Sequence, residues 1–338
     1  RWVGCSTLMV VTRRQFVQQS ATCAGHIALA AAVSPAWMRA LWAAPTPGAV
    51  VAREPFGSLE RVADNAWALI STPLSGDRTT LSNGGIIAGR SGVLAIEGFN
   101  QPQGAVWLAE KARELTGRWP THVVLTHYHA DHANGVAGYF TNDAHPAVRA
   151  TDRTKTLVLE RNQPANAERT AALRDVLILG AAAPTTLDLG GRSVRIVPRL
   201  GHTESDLSLE LDDPAITFCG DLVWNAMFPN FVDAIPTKLA VSARALRRTR
   251  DTIYVPGHGP LAREAEFDRY MTMLDEVERA ARKAHADGVA PATAGGNFSL
   301  PTSLGEWALF NKIFYQRAFE AWDRELRAAA STPPGLGT

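Results

Sequence analysis

The segment that most constrains this chain runs from His127 to His132 and reads His-Tyr-His-Ala-Asp-His. It follows a short β-branched run, His122–Leu125, which predicts a buried strand. Imidazole is a favoured zinc ligand, and a carboxylate can complete such a site. In an extended loop, residues two apart point the same way, so His127 and His129 can share one ion. Asp131 and His132 lie further along and can reach a second ion, so the sequence predicts a strand that ends in a metal-binding loop.

Three further candidate ligands follow apolar, strand-like runs later in the chain, and each has a glycine beside it. His202 lies in Leu-Gly-His-Thr, Asp221 in Cys-Gly-Asp-Leu and His258 in Pro-Gly-His-Gly. A lone histidine after a strand is more often a capped or core residue than a ligand, so each signal is weak by itself. Loops that a rigid sheet carries at its strand ends are nevertheless common places for sites. Together the two regions predict one centre built from five histidines and two aspartates.

The remainder of the chain alternates strand-like and helix-like segments from about residue 45 onward. Strands are predicted at Leu59–Ile70, Ile86–Gly89, Val93–Ile96, His122–Leu125, Leu187–Leu189, Ser193–Val197, Leu207–Leu211, Ala215–Cys219 and Ile253–Val255. Helices are predicted at Gln103–Leu115, Ser242–Arg250, Glu264–Ala286 and Glu306–Ala330, with a loop at Gly295–Asn297. We therefore expect one α/β domain over residues 45–330, a sandwich with terminal helices packed on it, followed by a disordered tail at 331–338.

Residues 1–44 have the order of charge and apolarity of an export signal. Arg13 and Arg14 precede a stretch of small and apolar residues, Ala21–Val33, which is typical of a twin-arginine signal. The alternative is an amphipathic helix in which the arginine pair occurs by chance. The export interpretation predicts a periplasmic or extracellular protein with no membrane span once the signal is removed.

The charge balance excludes some classes of partner. The chain has 34 Lys and Arg against 33 Asp and Glu, a net charge of +1, and no long run of like charge. Such a balance argues against a nucleic-acid binder that neutralises phosphates. Apolar residues make up 46% of the chain, as in a globular protein. We therefore expect a small-molecule substrate rather than nucleic acid, and the oligomeric state stays open.

The ordered set H-x-H-x-D-H, G-H, G-D and G-H closely resembles the metallo-β-lactamase superfamily, over about residues 59–259. The resemblance implies an α/β fold, the αββα sandwich of that superfamily, with additional C-terminal helices. It also implies two zinc ions, although manganese or iron would fit such ligands too. In the family pattern the first ion lies on His127, His129 and His202, the second on Asp131, His132 and His258, and Asp221 bridges both. Glu97 matches an early acidic position, which we interpret as a hydrogen-bonded carboxylate at a strand end.

A site of this kind implies a metal-dependent hydrolase. A hydroxide between the two ions would attack an ester, thioester, lactone or lactam, and Asp131 would be the catalytic residue that orients it and relays a proton. Asp221 favours the thioesterase and lactonase subtypes, because many β-lactamases of the superfamily have Cys or Ser at that position. A β-lactamase proper, a mononuclear-iron dioxygenase of the same fold and a non-catalytic metal-binding protein remain as alternatives.

Several residues near the predicted ligands have two interpretations. The aromatic segment that follows Asp221, residues 224–231, would either line a substrate pocket or pack beneath the loop. Cys219 would be a small core residue, and Tyr128 would pack or form a hydrogen bond. Basic residues of the C-terminal helices could hold the carboxylates of a glutathione thioester, but a solvated surface is the simpler interpretation.

Overall fold

Two β-sheets form the centre of this computed structural model, which describes residues 48–141 and 144–331. The eight strands of the first sheet, in their order across it, are β1 (Val50–Glu54), β2 (Gly57–Ala63), β3 (Ala66–Ser71), β4 (Gly84–Ala88), β5 (Val93–Ile96), β6 (His122–Val124), β7 (Ala147–Thr151) and β8 (Leu177–Leu179). The second sheet has the order β13-β12-β11-β10-β9, formed by β9 (Thr185–Asp188), β10 (Ser193–Arg199), β11 (Asp206–Leu211), β12 (Ile216–Trp224) and β13 (Ile253–His258).

Eight α-helices connect and cover the sheets in the described part of the chain. They are α1 (Pro102–Thr116), α2 (Ala130–Ala133), α3 (Asp152–Arg161), α4 (Ala167–Ala172), α5 (Pro236–Arg244), α6 (Glu264–Ala286), α7 (Pro291–Gly296) and α8 (Ile313–Ser331). Short 3₁₀ turns lie at Pro73–Ser75, Val136–Phe140 and Thr302–Leu304.

Alternation along the central strands produces the layers. Leu94 and Val124 of the first sheet belong to the same buried cluster as Leu209 and Phe218 of the second, which places this cluster between the sheets. The neighbouring Val93 points to the opposite face and belongs to the cluster that includes α1. Side chains of a strand alternate between faces, so a strand buried on both sides reads as a continuous apolar run.

A third buried cluster covers the outer face of the second sheet. Cys219 of β12 lies in it with Leu239 of α5, Phe267 of α6 and Phe319 of α8. Helices therefore cover both sheets, and the predicted αββα sandwich with additional C-terminal helices is confirmed. Cys219 is fully buried, as the core interpretation requires.

Parallel pairing brings the site-bearing strand ends to one edge. β5 and β6 are parallel, and so are β12 and β13. The carboxyl ends of parallel strands meet at the same edge of a sheet, where ligands commonly bind. The loop after β6 carries the His127–His132 segment, and Trp224 at the end of β12 lies beside His258 at the end of β13.

Several sequence-based assignments were wrong. The predicted strand Leu59–Ile70 is the hairpin β2–β3, which turns at Asn65 with a φ of +55°. The helix predicted at Ser242–Arg250 begins earlier and ends at Arg244, because Pro236 starts it. Gly295, predicted in a loop, lies in α7. Six elements were not predicted at all, namely β1, β7, β8, α2, α3 and α4.

The last helix differs most from its prediction. It was expected to begin at Glu306, but it begins at Ile313. The preceding segment is extended instead, because Ala308 N–H donates to the Ala226 carbonyl and Phe228 N–H donates to the Ala308 carbonyl, both at 2.9 Å. These tertiary hydrogen bonds replace the local ones of a helix. Ser331, expected in the tail, is the last residue of α8.

Two predictions fall on the termini. The proposed signal at 1–44 and the tail at 332–338 lie outside the described residues. Within residues 48–141 and 144–331, no helix has both the length and the hydropathy needed to cross a membrane.

Candidate metal centre

The first group of predicted ligands converges at the end of β6. His129 Nδ1 lies 3.1 Å from His127 Nε2 and 3.0 Å from His202 Nε2. His127 and His202 are each 1% exposed, so the three ring nitrogens face one another in a nearly solvent-free space. Three imidazole nitrogens around one point form a metal-ligand arrangement.

The second group lies beside it. His258 Nε2 is 3.2 Å from Asp131 Oδ2, and His132 Nε2 is 3.7 Å from the same oxygen. The single helical turn α2, which begins after His129, places Asp131 and His132 away from the first group. The chain changes from an extended loop to a helix within the motif. Residues that are close in the sequence therefore belong to two separate ligand groups.

Asp221 lies between the two groups and turns one oxygen toward each. Its Oδ1 is 3.0 Å from His132 Nε2 and 3.4 Å from His258 Nε2. Its Oδ2 is 3.1 Å from His202 Nε2 and 3.8 Å from His127 Nε2. All seven sequence-predicted residues thus come together, with a single carboxylate shared by both groups.

Gly257 makes room for that carboxylate. A Cβ atom at position 257 would lie 1.9 Å from Asp221 Oδ1, far inside van der Waals contact. Only glycine allows the end of β13 to pass this close to Asp221. The glycine beside His258 is therefore part of the geometry that places Asp221.

Glu97 lies beside the ligand residues and forms contacts that hold them in position. Its carboxylate is buried, accepts a hydrogen bond from the Thr126 N–H at 3.1 Å and lies 3.0 Å from His132 Nδ1. The Thr126 hydroxyl also donates to Glu97 and lies 3.0 Å from His127 Nδ1. Glu97 has a φ of +76°, a strained value that occurs mainly at functional sites. These partners on the outer ring nitrogens fix the tautomer and the orientation of His127 and His132.

Asp233 orients His129 as Glu97 orients His132, and the sequence analysis did not predict it. His129 Nε2 lies 3.0 Å from Asp233 Oδ2, Arg161 Nη1 lies 3.3 Å from Asp233 Oδ1, and the Tyr128 hydroxyl donates to Asp233. Tyr128 therefore forms a hydrogen bond, one of its two expected roles. No motif marks Asp233, since it lies in an irregular segment far along the chain from its partners.

A second missed carboxylate, Asp206, holds the turn that carries His202. It accepts hydrogen bonds from the backbone N–H groups of His202 and Thr203, each at 3.0 Å, and from the Thr203 hydroxyl at 2.7 Å. Burial raises the pKa of Asp206 to about 7, although the bonds from Thr203 favour its charged form. The Thr-x-x-Asp spacing is the one sequence signal that could have found it.

The electrostatics of the centre reflect close opposite charges. Burial opposes the charged form of Asp221, but His132, His258 and His202 outweigh it and hold the pKa of Asp221 well below its usual value. Burial likewise opposes protonation of His132, but the carboxylates of Asp221, Glu97 and Asp131 hold its pKa well above the usual range. The carboxylates of this centre are thus suited to balance concentrated positive charge.

Two orphaned atoms test whether metal ions fit here. His132 Nε2 and Asp221 Oδ1 are buried and lie 3.0 Å apart, yet neither forms a hydrogen bond in the described part of the chain. Buried polar atoms are normally paired, and an orphan needs an explanation. Imidazole nitrogens and carboxylate oxygens that converge at this spacing suit zinc, manganese or iron. The residues therefore fit a pair of metal ions.

A pocket of about 290 Å³ opens onto both ligand groups. Its apolar lining comes from Leu81, Trp224, Val232, Phe310 and Phe314. Its polar lining comes from Arg78, Asn100, His129, Asp131, Asp221, Asn230, Asp233 and His258. A concave, partly apolar space with convergent polar groups is the usual form of a small-molecule site.

Comparison with known proteins identifies the family. The model of the metallo-beta-lactamase superfamily matches residues 98–258, which contain every ligand candidate. Residues 98–258 form a metallo-β-lactamase superfamily domain. The hydroxyacylglutathione hydrolase of Acidiphilium cryptum (strain JF-5) is 29% identical over 235 residues, 68% of this chain and 86% of that protein. The same-named enzyme of Rhodopseudomonas palustris (strain BisA53) is 27% identical over 220 residues, 63% of this chain and 74% of that protein.

Solved structures agree on the fold. The metallo-beta-lactamase from Pontibacter korlensis has a TM-score of 0.53 at 19% identity, covering 64% of this chain and 98% of that one. The sec-alkylsulfatase Pisa1 from Pseudomonas sp. has a TM-score of 0.62 at 15% identity, covering 82% of this chain and 52% of that one. At these identities the likeness concerns the fold alone.

The aromatic segment at residues 224–231 divides between its two expected roles. Trp224 lines the pocket and packs on His258, with ring centroids 3.9 Å apart. Phe228 and Phe231 are buried in the core, where Phe228 packs edge-to-face against Tyr315. The segment therefore supplies one pocket wall and one part of the core.

Two substitutions distinguish these roles. We expect Trp224→Ala to raise KM about tenfold, because one apolar contact of this size is worth about 1.5–3 kcal/mol. Phe228→Ala should instead lower the free energy of unfolding by about 3–5 kcal/mol, because it leaves a cavity, with KM little changed. Steady-state kinetics, metal analysis and urea unfolding would measure both. An unchanged KM for metal-loaded Trp224→Ala would contradict the pocket role.

Proposed function

We propose that this chain is a binuclear zinc hydrolase that cleaves an ester, thioester, lactone or lactam. The observation that supports this most directly is the position of Asp221, whose two oxygens face the two ligand groups separately. A carboxylate that offers one oxygen to each ligand group suits a pair of ions held close together. The proposal accounts for the orphaned His132 Nε2 and Asp221 Oδ1.

The zinc pair, when bound, would lower the pKa of a coordinated water toward neutrality and polarise the scissile bond. The chain itself supplies the positioning. The side chain of Asp131 is 26% exposed while its Oδ2 faces His258, so Asp131 touches both the second ligand group and the pocket. We assign Asp131 the tasks of orienting the attacking group and transferring a proton to the leaving group.

The alternatives differ in what they require of the second group. A mononuclear-iron dioxygenase needs only the first group and one carboxylate, yet His132 and His258 are both buried and directed at Asp221. A β-lactamase proper remains the runner-up, since lactam opening would use the same residues. A non-catalytic metal-binding protein would not need the pocket that opens onto both groups.

Metal removal tests the proposal. We expect the zinc-loaded protein to bind about two zinc ions per chain and to lose all turnover in a strong chelator, with recovery on adding zinc. The substrates are nitrocefin for the lactam reaction and an aryl acetate and an acyl thioester for the others. Chelator-sensitive turnover of nitrocefin alone would favour the β-lactamase. A protein that holds zinc and hydrolyses none of these would contradict the proposal.

A further inference from the structure

The C-terminal segment at residues 310–314 lines part of the pocket that opens onto the ligand groups. Phe310, Phe314 and Trp224 line it, and the rings of Trp224 and Phe314 pack edge to face with centroids 6.3 Å apart. Backbone hydrogen bonds between Ala308 and the segment after Trp224 hold residues 310–314 in place. Aromatic side chains that line the same pocket as the ligand groups suit an apolar or aromatic substrate group.

Arg78 is the single Lys or Arg in the described lining of this pocket. Its backbone is fixed, because Asn100 Nδ2 donates to the Arg78 carbonyl at 2.6 Å. Its guanidinium forms no ion pair and no hydrogen bond within residues 48–141 and 144–331. The other charged groups of the lining are occupied, since Asp233 pairs with Arg161 and His129, and Asp131 belongs to the ligand set.

The remaining basic groups of the C-terminal helices are held elsewhere. Arg279 and Arg282 pair with Glu276 and Glu278, and Lys283 pairs with Asp287. Arg269 donates to Asn225, Arg317 donates to Asn230, and Arg324 donates to the Ala234 carbonyl. Glutathione carries two carboxylates on a tripeptide, and the pocket offers one free cation for them.

We infer that the substrate is a compact ester or thioester with one apolar or aromatic group and one anionic group. The apolar group would lie against the rings of Trp224, Phe310 and Phe314, and Arg78 would bind the anion. Arg78 is thus a specificity-determining residue, and glutathione thioesters are poor substrates. This inference rests on the proposed function, since it names the substrate class of the same centre.

A matched pair of esters tests the role of Arg78. Zinc-loaded full chain is assayed with 4-acetoxybenzoate, which is anionic, and with its neutral methyl ester. We expect Arg78→Ala to lower kcat/KM for the anionic ester about tenfold, the low end for a bond to a charged group, and to leave the neutral ester unchanged. Arg78→Lys should restore part of the loss. Arg279→Ala, whose side chain pairs on the surface, is the control and should change neither.

A third substrate, S-lactoylglutathione, helps to distinguish failure of the inference from failure of the proposed function. The inference predicts a lower kcat/KM for it than for 4-acetoxybenzoate. A higher kcat/KM for the glutathione thioester, or an equal effect of Arg78→Ala on both esters, would overturn the inference and leave the proposed function standing. Absence of turnover with these three substrates and with nitrocefin, in protein that holds zinc, would overturn the proposed function and the inference with it.

Discussion

Replacing Asp221 with Asn should lower kcat/KM by about a thousandfold and reduce bound zinc from about two ions per chain to one or none. Asn keeps the size of the side chain but removes the charge and one of the oxygens that face the two ligand groups. Loss of a metal ion at the reaction centre removes several kcal/mol of transition-state stabilisation, and each 1.4 kcal/mol is a factor of ten. Metal analysis and kinetics on the same preparation would measure both effects.

Cys219→Ala is the matched control for Asp221→Asn. Cys219 lies two residues earlier on β12, but it is fully buried in the core and its Sγ contacts the Thr217 carbonyl. Burial raises the pKa of the Cys219 thiol, which keeps it protonated and unsuited to metal. We expect this variant to retain its zinc and its turnover. Loss of zinc from Cys219→Ala, or full activity in Asp221→Asn, would contradict the assignment of Asp221.

Replacing Asp233 with Asn should weaken zinc binding by about 10- to 100-fold, the usual effect of removing the outer partner of a ligating histidine. The carboxylate lies 3.0 Å from His129 Nε2, while His129 Nδ1 faces the other ligands. An amide in its place accepts more weakly from the ring and can present its nitrogen to it, which loosens the orientation of His129. Competition with a chromophoric chelator would measure the affinity.

The chain offers a second carboxylate–histidine pair as the control for Asp233→Asn. Asp323 Oδ1 lies 2.7 Å from His285 Nδ1, on helices away from the centre. Asp323→Asn makes the same chemical change and should leave zinc affinity unchanged. Equal affinities in the two variants would show that Asp233 has no part in positioning His129.

The predicted ligands could be recognised from short sequence motifs. The close spacing of His127, His129 and Asp131 and the glycine beside each later ligand are visible without a structure, because metal ligation limits the residue types and sheet edges limit where they lie. The apolar alternation of the strands likewise predicted two buried sheets. Errors occurred where tertiary contacts outweighed local preference, as at 306–312, where pairing with the segment after Trp224 keeps the chain extended.

The partners of the ligands could not be predicted in the same way. Asp233 is one carboxylate among 33 acidic residues, and nothing in its neighbours distinguishes it. Its role depends on a contact with His129, a residue far away in the chain. The same holds for Arg78, which is marked only by the absence of an ion pair, and for Phe314, which is a helical core residue by its pattern.

The sequence by itself determined the superfamily, the layer order of the fold and the identity of the seven candidate ligands, because these depend on short motifs and on periodicity. Only the tertiary structure decided that Asp221 faces both ligand groups, that Asp233 and Glu97 orient the histidines, and that Trp224 forms a wall while Phe228 belongs to the core. The physical reason is that orientation, burial and charge pairing arise between residues distant in the chain, where a linear pattern carries no signal.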